Sequence, residues 1–399
     1  MQFNEVYGQE TTQRHLVEMV QQNRLGHALL FLGKEGSGAL PLAIAFAKYL
    51  VCTGKNKSAT ESNSLFADEP GPDSASLPFE PCGTCPACVK AEGMIHPDIH
   101  FSYPVIPRKA GDKPLSTDFI TEWREFIKQL PYGNVYDWLQ FIGAENKQGN
   151  ITAHECNEIN RKINLKSFES EFKILIMWMP EYLGTEGNKL LKLIEEPPAN
   201  TVFILVAENE SQMLQTILSR CQLIKIPVPD NESITRALME KSGLDLNKAR
   251  QIAAISDGNY REALRQVQHA EEDWQDLLRE WLNSILKSGP VAQVKWIDEI
   301  SRQGREKQKQ FLRYFNHLLE QSIRLEVMGQ ENLHISESET DFANRINKIA
   351  DISQQQAIVE ELDRSMYYIE RNANSKLLFH ALTIKLYHII RNKSLFLVK

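Results

Sequence analysis

The sequence of 399 residues has no apolar run near the ~18 residues that a membrane-crossing helix needs; stretches such as Ile174–Pro180 fall far short. A helical membrane span is therefore not expected. The opening residues Met1–Glu5 show neither a basic segment nor an apolar one, so no signal peptide is expected either. Cysteine is scarce, with six residues: Cys52, Cys82, Cys85, Cys88, Cys156 and Cys221. Without a secretory signal, a disulfide framework is not expected, and these features point to the cytoplasm. Positive charge is not in excess: 45 Lys and Arg stand against 52 Asp and Glu, a net charge of −7. That argues against a chain that coats nucleic acid with its whole surface, though a local basic patch remains compatible. The hydrophobic fraction of 42% and charged fraction of 24% are ordinary for globular chains, which excludes collagen, mucin and wholesale disorder. At roughly 100–200 residues per domain, two or three domains are expected.

What is present reads first as α/β. His27–Gly33 is an apolar run of strand length, in which His27 is expected to pack in the core. A glycine-rich turn follows, then a helical stretch from Pro41 to about Cys52, with Pro41 in the first turn. Residues 55–80 are rich in Ser, Asp, Glu and Pro and lack a period, as expected of a surface insertion. Residues 100–160 are less regular; Trp123, Phe126, Ile127 and Leu130 show helical spacing, and Tyr132-Gly133-Asn134 reads as a turn. Phe172–Trp178 and Thr201–Ala207 read as buried strands. Between them a helix is expected over Asn188–Glu196, stopped by Pro197-Pro198. Strands alternating with helices imply a parallel sheet covered on both faces. After Pro229 the strand signals cease. Short helices are expected over 230–270, and a helical bundle from about Asp273. There Phe311, Phe315, Leu318, Leu319 and Ile323 share one face, and Ile358, Leu362, Ser365 and Ile369 another.

Gly33-Lys34-Glu35-Gly36-Ser37-Gly38 follows a strand and precedes a helix, with the glycine spacing of a phosphate-binding loop. Such a loop continues with Lys, which reaches the β/γ-phosphates, and Ser or Thr, which holds Mg²⁺. Here those positions are Ala39 and Leu40. One charge-assisted hydrogen bond of this kind contributes about 1.5–3 kcal/mol. The strand end that would carry an acidic pair reads Met177-Trp178, with no carboxylate before Glu181. Two separate losses fall in one site.

Cys82, Cys85 and Cys88 have C-x2-C-x2-C spacing, which a glycine-containing turn lets converge on one ion. A structural tetrahedral zinc needs a fourth ligand, for which Cys52 at the end of its helix is the best candidate, with His96 and His100 as alternatives. Iron–sulfur runs also begin this way, but they usually carry a Cys-Pro shortly after, which is absent. Cys156 and Cys221 read as plain buried or half-buried thiols.

Together these segments resemble the delta-prime subunits of the bacterial DNA polymerase III clamp loader. The resemblance rests on Val6-Tyr7-Gly8-Gln9, Arg24–Phe31, the cysteine cluster, His96-Pro97-Asp98, Asn188–Pro198 and Ser219-Arg220-Cys221. Beyond 230 it is limited to helical character and Arg371-Asn372-Ala373-Asn374. The resemblance implies an α/β AAA+ domain over 1–226, with a zinc module at about 52–96 and insertions at 55–80 and 100–160. A small helical lid over 227–272 and a helical collar over 273–399 would follow. It implies a stator that binds no ATP in its own site, where Gly33 and Gly38 survive but Ala39, Leu40, Met177 and Trp178 do not fit. Asn209 would stand at a sensor position and Arg261 at a second. Arg220 would project in trans, as an arginine finger, into the ATP site of a neighbouring motor subunit. The zinc would be structural, held by Cys52, Cys82, Cys85 and Cys88. The implied partners are tau/gamma motor subunits and a delta subunit in a hetero-oligomeric ring, with the sliding clamp and primer–template DNA reached through the complex, and no membrane.

Two other readings compete. An active ATPase of replication or repair with an unconventional loop is disfavoured by the missing Lys, hydroxyl and acidic pair. A zinc-dependent nucleic-acid module is disfavoured by the net charge and by the lack of a basic aromatic stripe beside the cysteines. Taken without its neighbours, Arg220 also fits a helix-end arginine that satisfies nearby carbonyls.

Overall fold

The computed structural model describes residues 1–54, 79–109, 111–144, 147–268, 274–328, 337–371 and 373–392. Of the expected insertion 55–80, only Phe79 and Glu80 fall within them. Five strands form one parallel sheet: β1 Ala28–Gly33, β2 Ile99–Ser102, β3 Lys173–Trp178, β4 Thr201–Ala207 and β5 Gln222–Ile226. Their order is β2-β3-β4-β1-β5. Every residue of β3 and β4 is buried, which is why these strands read as unbroken apolar runs.

Side chains alternate between the two faces. Leu29, Phe31, Ile174, Ile176, Trp178 and Ile204 face one core, built on α1 Glu10–Gln21, α2 Ala39–Val51 and the aromatic residues of 100–140. Ala28, Leu30, Leu175, Met177, Phe203 and Leu205 face the other, built on Ile159 and Ile163 and the segment 183–194. This is the parallel α/β architecture expected from the sequence, with helices on both faces of the sheet and a helical continuation.

Two local expectations need correction. His27 is exposed rather than packed in the core. The strand begins one residue later, and His27 contributes only its carbonyl, which accepts the N–H of Phe203 at 2.8 Å. The expected helix 188–196 is a tight 3₁₀ run over Pro180–Leu190, broken at Gly184 (φ 51°, ψ −140°), followed by a short α-helix, Leu191–Glu195.

Asp98, in the His-Pro-Asp segment leading into β2, has a structural task. Its carboxylate accepts the backbone N–H groups of Phe168 (2.5 Å), Glu169 (2.8 Å) and Ser170 (2.8 Å). Burial alone would raise its pKa, but these donors outweigh it and hold the carboxyl below the usual aspartate value. Stability from such a group is present in full above the unfolded pKa and is lost as pH falls through the lower folded value. Asp98→Ala is therefore expected to cost about 1–3 kcal/mol at neutral pH, by removing the buried carboxylate that accepts three part-buried N–H groups. The deficit should shrink in acid. Denaturant melts of both proteins at neutral and acid pH would check this, and a pH-independent difference would refute it.

Contacts divide the chain into two compact units, Met1–Arg265 and Gln266–Lys399. The second is helical throughout its described length. At its centre Trp281 stacks on Trp296 (4.7 Å, 4°) beside Phe311, Phe315 and Phe379, and its indole N–H donates to Thr383 Oγ1 at 3.0 Å. The faces read from the sequence are buried here, except that Ile323 is half-exposed. Among the described residues no helix is long and apolar enough to cross a membrane.

Candidate functional site

The glycine loop joins β1 to α2 in a left-handed turn, with φ of +74° at Gly36 and +86° at Gly38, values that favour glycine. Gly38 is the N-cap of α2, and Ala39 and Leu40 are 8% and 4% exposed, so the first turn is apolar where a phosphate would need a cation and a hydroxyl. At the end of β3, Met177 and Trp178 are both buried. Trp178 joins an aromatic cluster around Trp123 (5.3 Å), which stacks on Tyr103 at 3.9 Å. The nearby Glu181 is engaged elsewhere: its Oε1 accepts the N–H groups of Glu208 (2.7 Å) and Asn209 (2.9 Å), and burial raises its pKa. Asn209 is exposed, with its Oδ1 accepting the N–H of Ser211.

The crevice bounded by Gly36, Gly38, Leu40, Tyr132, Trp178 and Glu208 has a cavity of about 30 Å³. Ligand pockets are roughly 300–1,000 Å³. Tyr132 fills much of this space: an added Cβ on Gly38 would lie 3.1 Å from its Cε1, its hydroxyl accepts the N–H of Tyr7 at 3.3 Å, and its ring meets Tyr260 edge-on at 4.7 Å. Arg261 is buried against two carboxylates. It binds Asp137 through Nε and through Nη2 (2.6 Å), and Glu35 of the glycine loop through Nη1 (2.8 Å). Sequence reasoning missed Tyr132, Asp137 and Glu35. Asn134-x-x-Asp137 does carry a helix-start signal, and the two side chains form a capping box. Nothing in the sequence links that box to an arginine 124 positions away.

The four thiols Cys52, Cys82, Cys85 and Cys88 come together, with all sulfurs within 4.8 Å of one another. Cys52 caps the C-terminus of α2, while Cys85 is the N-cap of a second helix, α3 Pro86–Glu92, which carries Cys88. Zn–S bonds of about 2.3 Å in a tetrahedron set S···S near about 3.8 Å; Cys82 and Cys88 stand 3.9 Å apart. Backbone N–H groups of Cys82, Cys85 and Cys88 donate to the sulfurs of Cys52, Cys82 and Cys85 at 3.3–3.4 Å, as suits thiolates. Burial pushes the Cys85 thiol up, but hydrogen bonds from Thr53 and the Cys88 N–H outweigh it and bring the pKa to about 7. Cys88 is raised by its hydrogen bond with Cys52 and by burial. The donor set fits one metal ion. His96 and His100 lie outside this group: His96 Nδ1 accepts the N–H of Asp98, and His100 sits in β2, where burial and then the charges of Lys162 and Lys173 hold its pKa at about 4.

Arg220 follows the short helix Gln215–Leu218 and is one-third exposed. Its Nε donates to Glu195 Oε1 at 2.5 Å and its Nη1 to the Thr216 carbonyl at 2.7 Å. Glu195 belongs to the Glu-Glu-Pro-Pro run, so the two clamp-loader-like segments meet through this ion pair. Cys156 is buried and Cys221 half-buried, with burial pushing each thiol up to about 11.

A family model described as "DNA polymerase III, delta subunit" matches residues 8–230. The chain is 26% identical over 227 residues to DNA polymerase III subunit delta' of Bacillus subtilis, covering 57% of this chain and 50% of that protein. It is 24% identical over 326 residues to DNA polymerase III subunit tau of the same organism, covering 80% and 46%. The chain thus spans about half the length of these two relatives. A solved gamma subunit-related protein of Thermotoga maritima aligns over 95% of this chain and 98% of its own, at 15% identity and a TM-score of 0.37.

Proposed function

The chain belongs to the DNA polymerase III delta subunit family, and from that premise we propose that it is a non-catalytic clamp-loader subunit of the delta-prime kind. The observation that carries this reading is the crevice at the glycine loop: Ala39, Leu40, Met177 and Trp178 stand where hydrolysis needs an ammonium, a hydroxyl and carboxylates, and the cavity is about 30 Å³. A site of this kind neither orients a water nor holds Mg²⁺. The chain would act as a stator in a cytoplasmic hetero-oligomeric ring with tau/gamma motor subunits and a delta subunit, serving ATP-driven loading of the sliding clamp on primed DNA. The parts proposed for this are the α/β domain to 226, the lid 227–272 and the collar 273–399.

Arg220 is the residue proposed to act on a neighbour's nucleotide. A guanidinium supplied in trans stabilises charge on the transferring phosphoryl group. Glu195 orients its Nε side, and the one-third exposure of the side chain supports access from a partner. Cys52, Cys82, Cys85 and Cys88 are the residues that would hold a structural zinc. Four thiolates close its coordination sphere, so its contribution is a cross-link between the end of α2 and the start of α3.

The isolated chain is expected to show no ATP turnover. A phosphate-release assay on preparations free of other ATPases tests this. Turnover that co-purifies with the chain would favour the reading as an active ATPase with an unconventional loop.

A further inference from the structure

The crevice is not merely missing its catalytic groups; residues from a distant segment have been built into it. Arg261 is 4% exposed, and its partners Glu35 and Asp137 are 23% and 13% exposed, so this is a largely desolvated cluster. Asp137 takes two guanidinium nitrogens, as a phosphate would, and Glu35 takes the third. Asn134 Nδ2 (3.0 Å) and Asn259 Nδ2 (3.2 Å) donate to the two oxygens of Glu35, so the glycine loop is gripped from both sides. The N–H of Tyr260 points to the Gly36 carbonyl at 3.4 Å. Tyr132 covers the start of α2 beside Gly38.

We propose that residues 130–137 are a built-in plug, an internal stand-in for a nucleoside triphosphate. It fills the crevice and holds the Asn259–Arg261 segment against the glycine loop with no ligand bound. This rests on the reading that the crevice is non-catalytic, but its test is separate: turnover examines that reading, and loop protection examines this one. The plug gives the segment 130–137 a task in the crevice. It also gives Arg261 a partner in place of a phosphate.

Hydrogen exchange on the full chain, followed by mass spectrometry with and without MgATP, provides the test. In the unaltered chain, segments 33–42 and 257–262 should be well protected, and MgATP should add nothing. Arg261→Gln leaves two carboxylates without their cation, and Asp137→Asn removes the two-pronged carboxylate of the plug and leaves Arg261 to Glu35, so exchange in both segments should rise, roughly a hundredfold in Arg261→Gln and less in Asp137→Asn, while β4 keeps its protection. Tyr132→Ala, which removes the ring without touching a charge, should raise exchange over 33–42. Loss of β4 protection in a charge variant would mean global unfolding; the Tyr132→Ala and MgATP arms then decide. Unchanged exchange in folded variants, or added protection of the native glycine loop by MgATP, overturns the plug.

Discussion

Arg220→Ala is expected to lower ATP hydrolysis by a reconstituted clamp-loading complex while leaving this chain folded and able to assemble. The side chain is one-third exposed and bonds to Glu195, Thr216 and Ser219 rather than to the core. Surface ion pairs of that kind contribute about 0–1 kcal/mol. An arginine finger, in contrast, is worth on the order of 10³–10⁵ in rate at the site it serves. Only one site of the complex would border this subunit, so total turnover falls in part if the sites act independently and much further if they fire in sequence. Arg220→Lys should not rescue, because an ammonium lacks the planar two-pronged donor. Glu195→Gln should give a smaller loss of the same sign, since it keeps the shape but removes the charge that orients Nε. Clamp- and DNA-stimulated turnover measured on complexes with each variant decides the matter. Unchanged turnover and unchanged clamp loading in both Arg220 variants would leave it as a helix-end residue.

The second large effect concerns the metal. Purified chain is expected to contain about one zinc, and removing it with a chelator should unfold the segment from Glu80 to Gly93 while the second compact unit keeps its helical signal. Structural zinc sites in small peptides are worth about 10–16 kcal/mol near neutral pH. The seven-residue helix α3 cannot stand alone at that length. Besides the thiols it is tied back through Glu92 to Lys48 at 2.5 Å and to the Met1 amino group. Cys88→Ser should abolish binding, because Cys88 is fully buried within the cluster. Elemental analysis of reduced protein that shows iron, or no metal, would refute zinc. Full retention of zinc in Cys52→Ser would refute Cys52 as the fourth ligand.

Strands buried on both faces were the most legible part of the fold. β1, β3 and β4 are continuous apolar runs because both sheet faces are covered, and nothing polar can interrupt them. The edge strands β2 and β5 escaped notice. They are four and five residues long and carry His100 and Lys225, so they offer no run long enough to separate from loop. His27 misled for the opposite reason, since it abuts an apolar run whose pairing starts one residue later. At the candidate site, three cysteines announce themselves by spacing, and Cys52 could be inferred only from its place at a helix end. The apolar residues Ala39, Leu40, Met177 and Trp178 around the glycine loop were readable position by position, and all four are buried. What fills the space was not, because Asp137 and Tyr132 reach Arg261 and Gly38 through folding alone.

The burial of the first turn of α2 bears on how such a chain could change over generations. Ala39 and Leu40 are now part of the core, and every residue from Ala39 to Val51 is buried. Placing a lysine at position 39 would put an ammonium among apolar side chains beside a crevice lined by Tyr132, at a cost of several kcal/mol for an unpaired buried charge. Placing a carboxylate at position 178 would also take the Trp178 ring out of an aromatic cluster, and large-to-small changes of that type cost about 3–5 kcal/mol. If the crevice is non-catalytic as proposed, packing works as a ratchet: each side chain that hydrolysis needs would weaken the fold at the position where it has to stand.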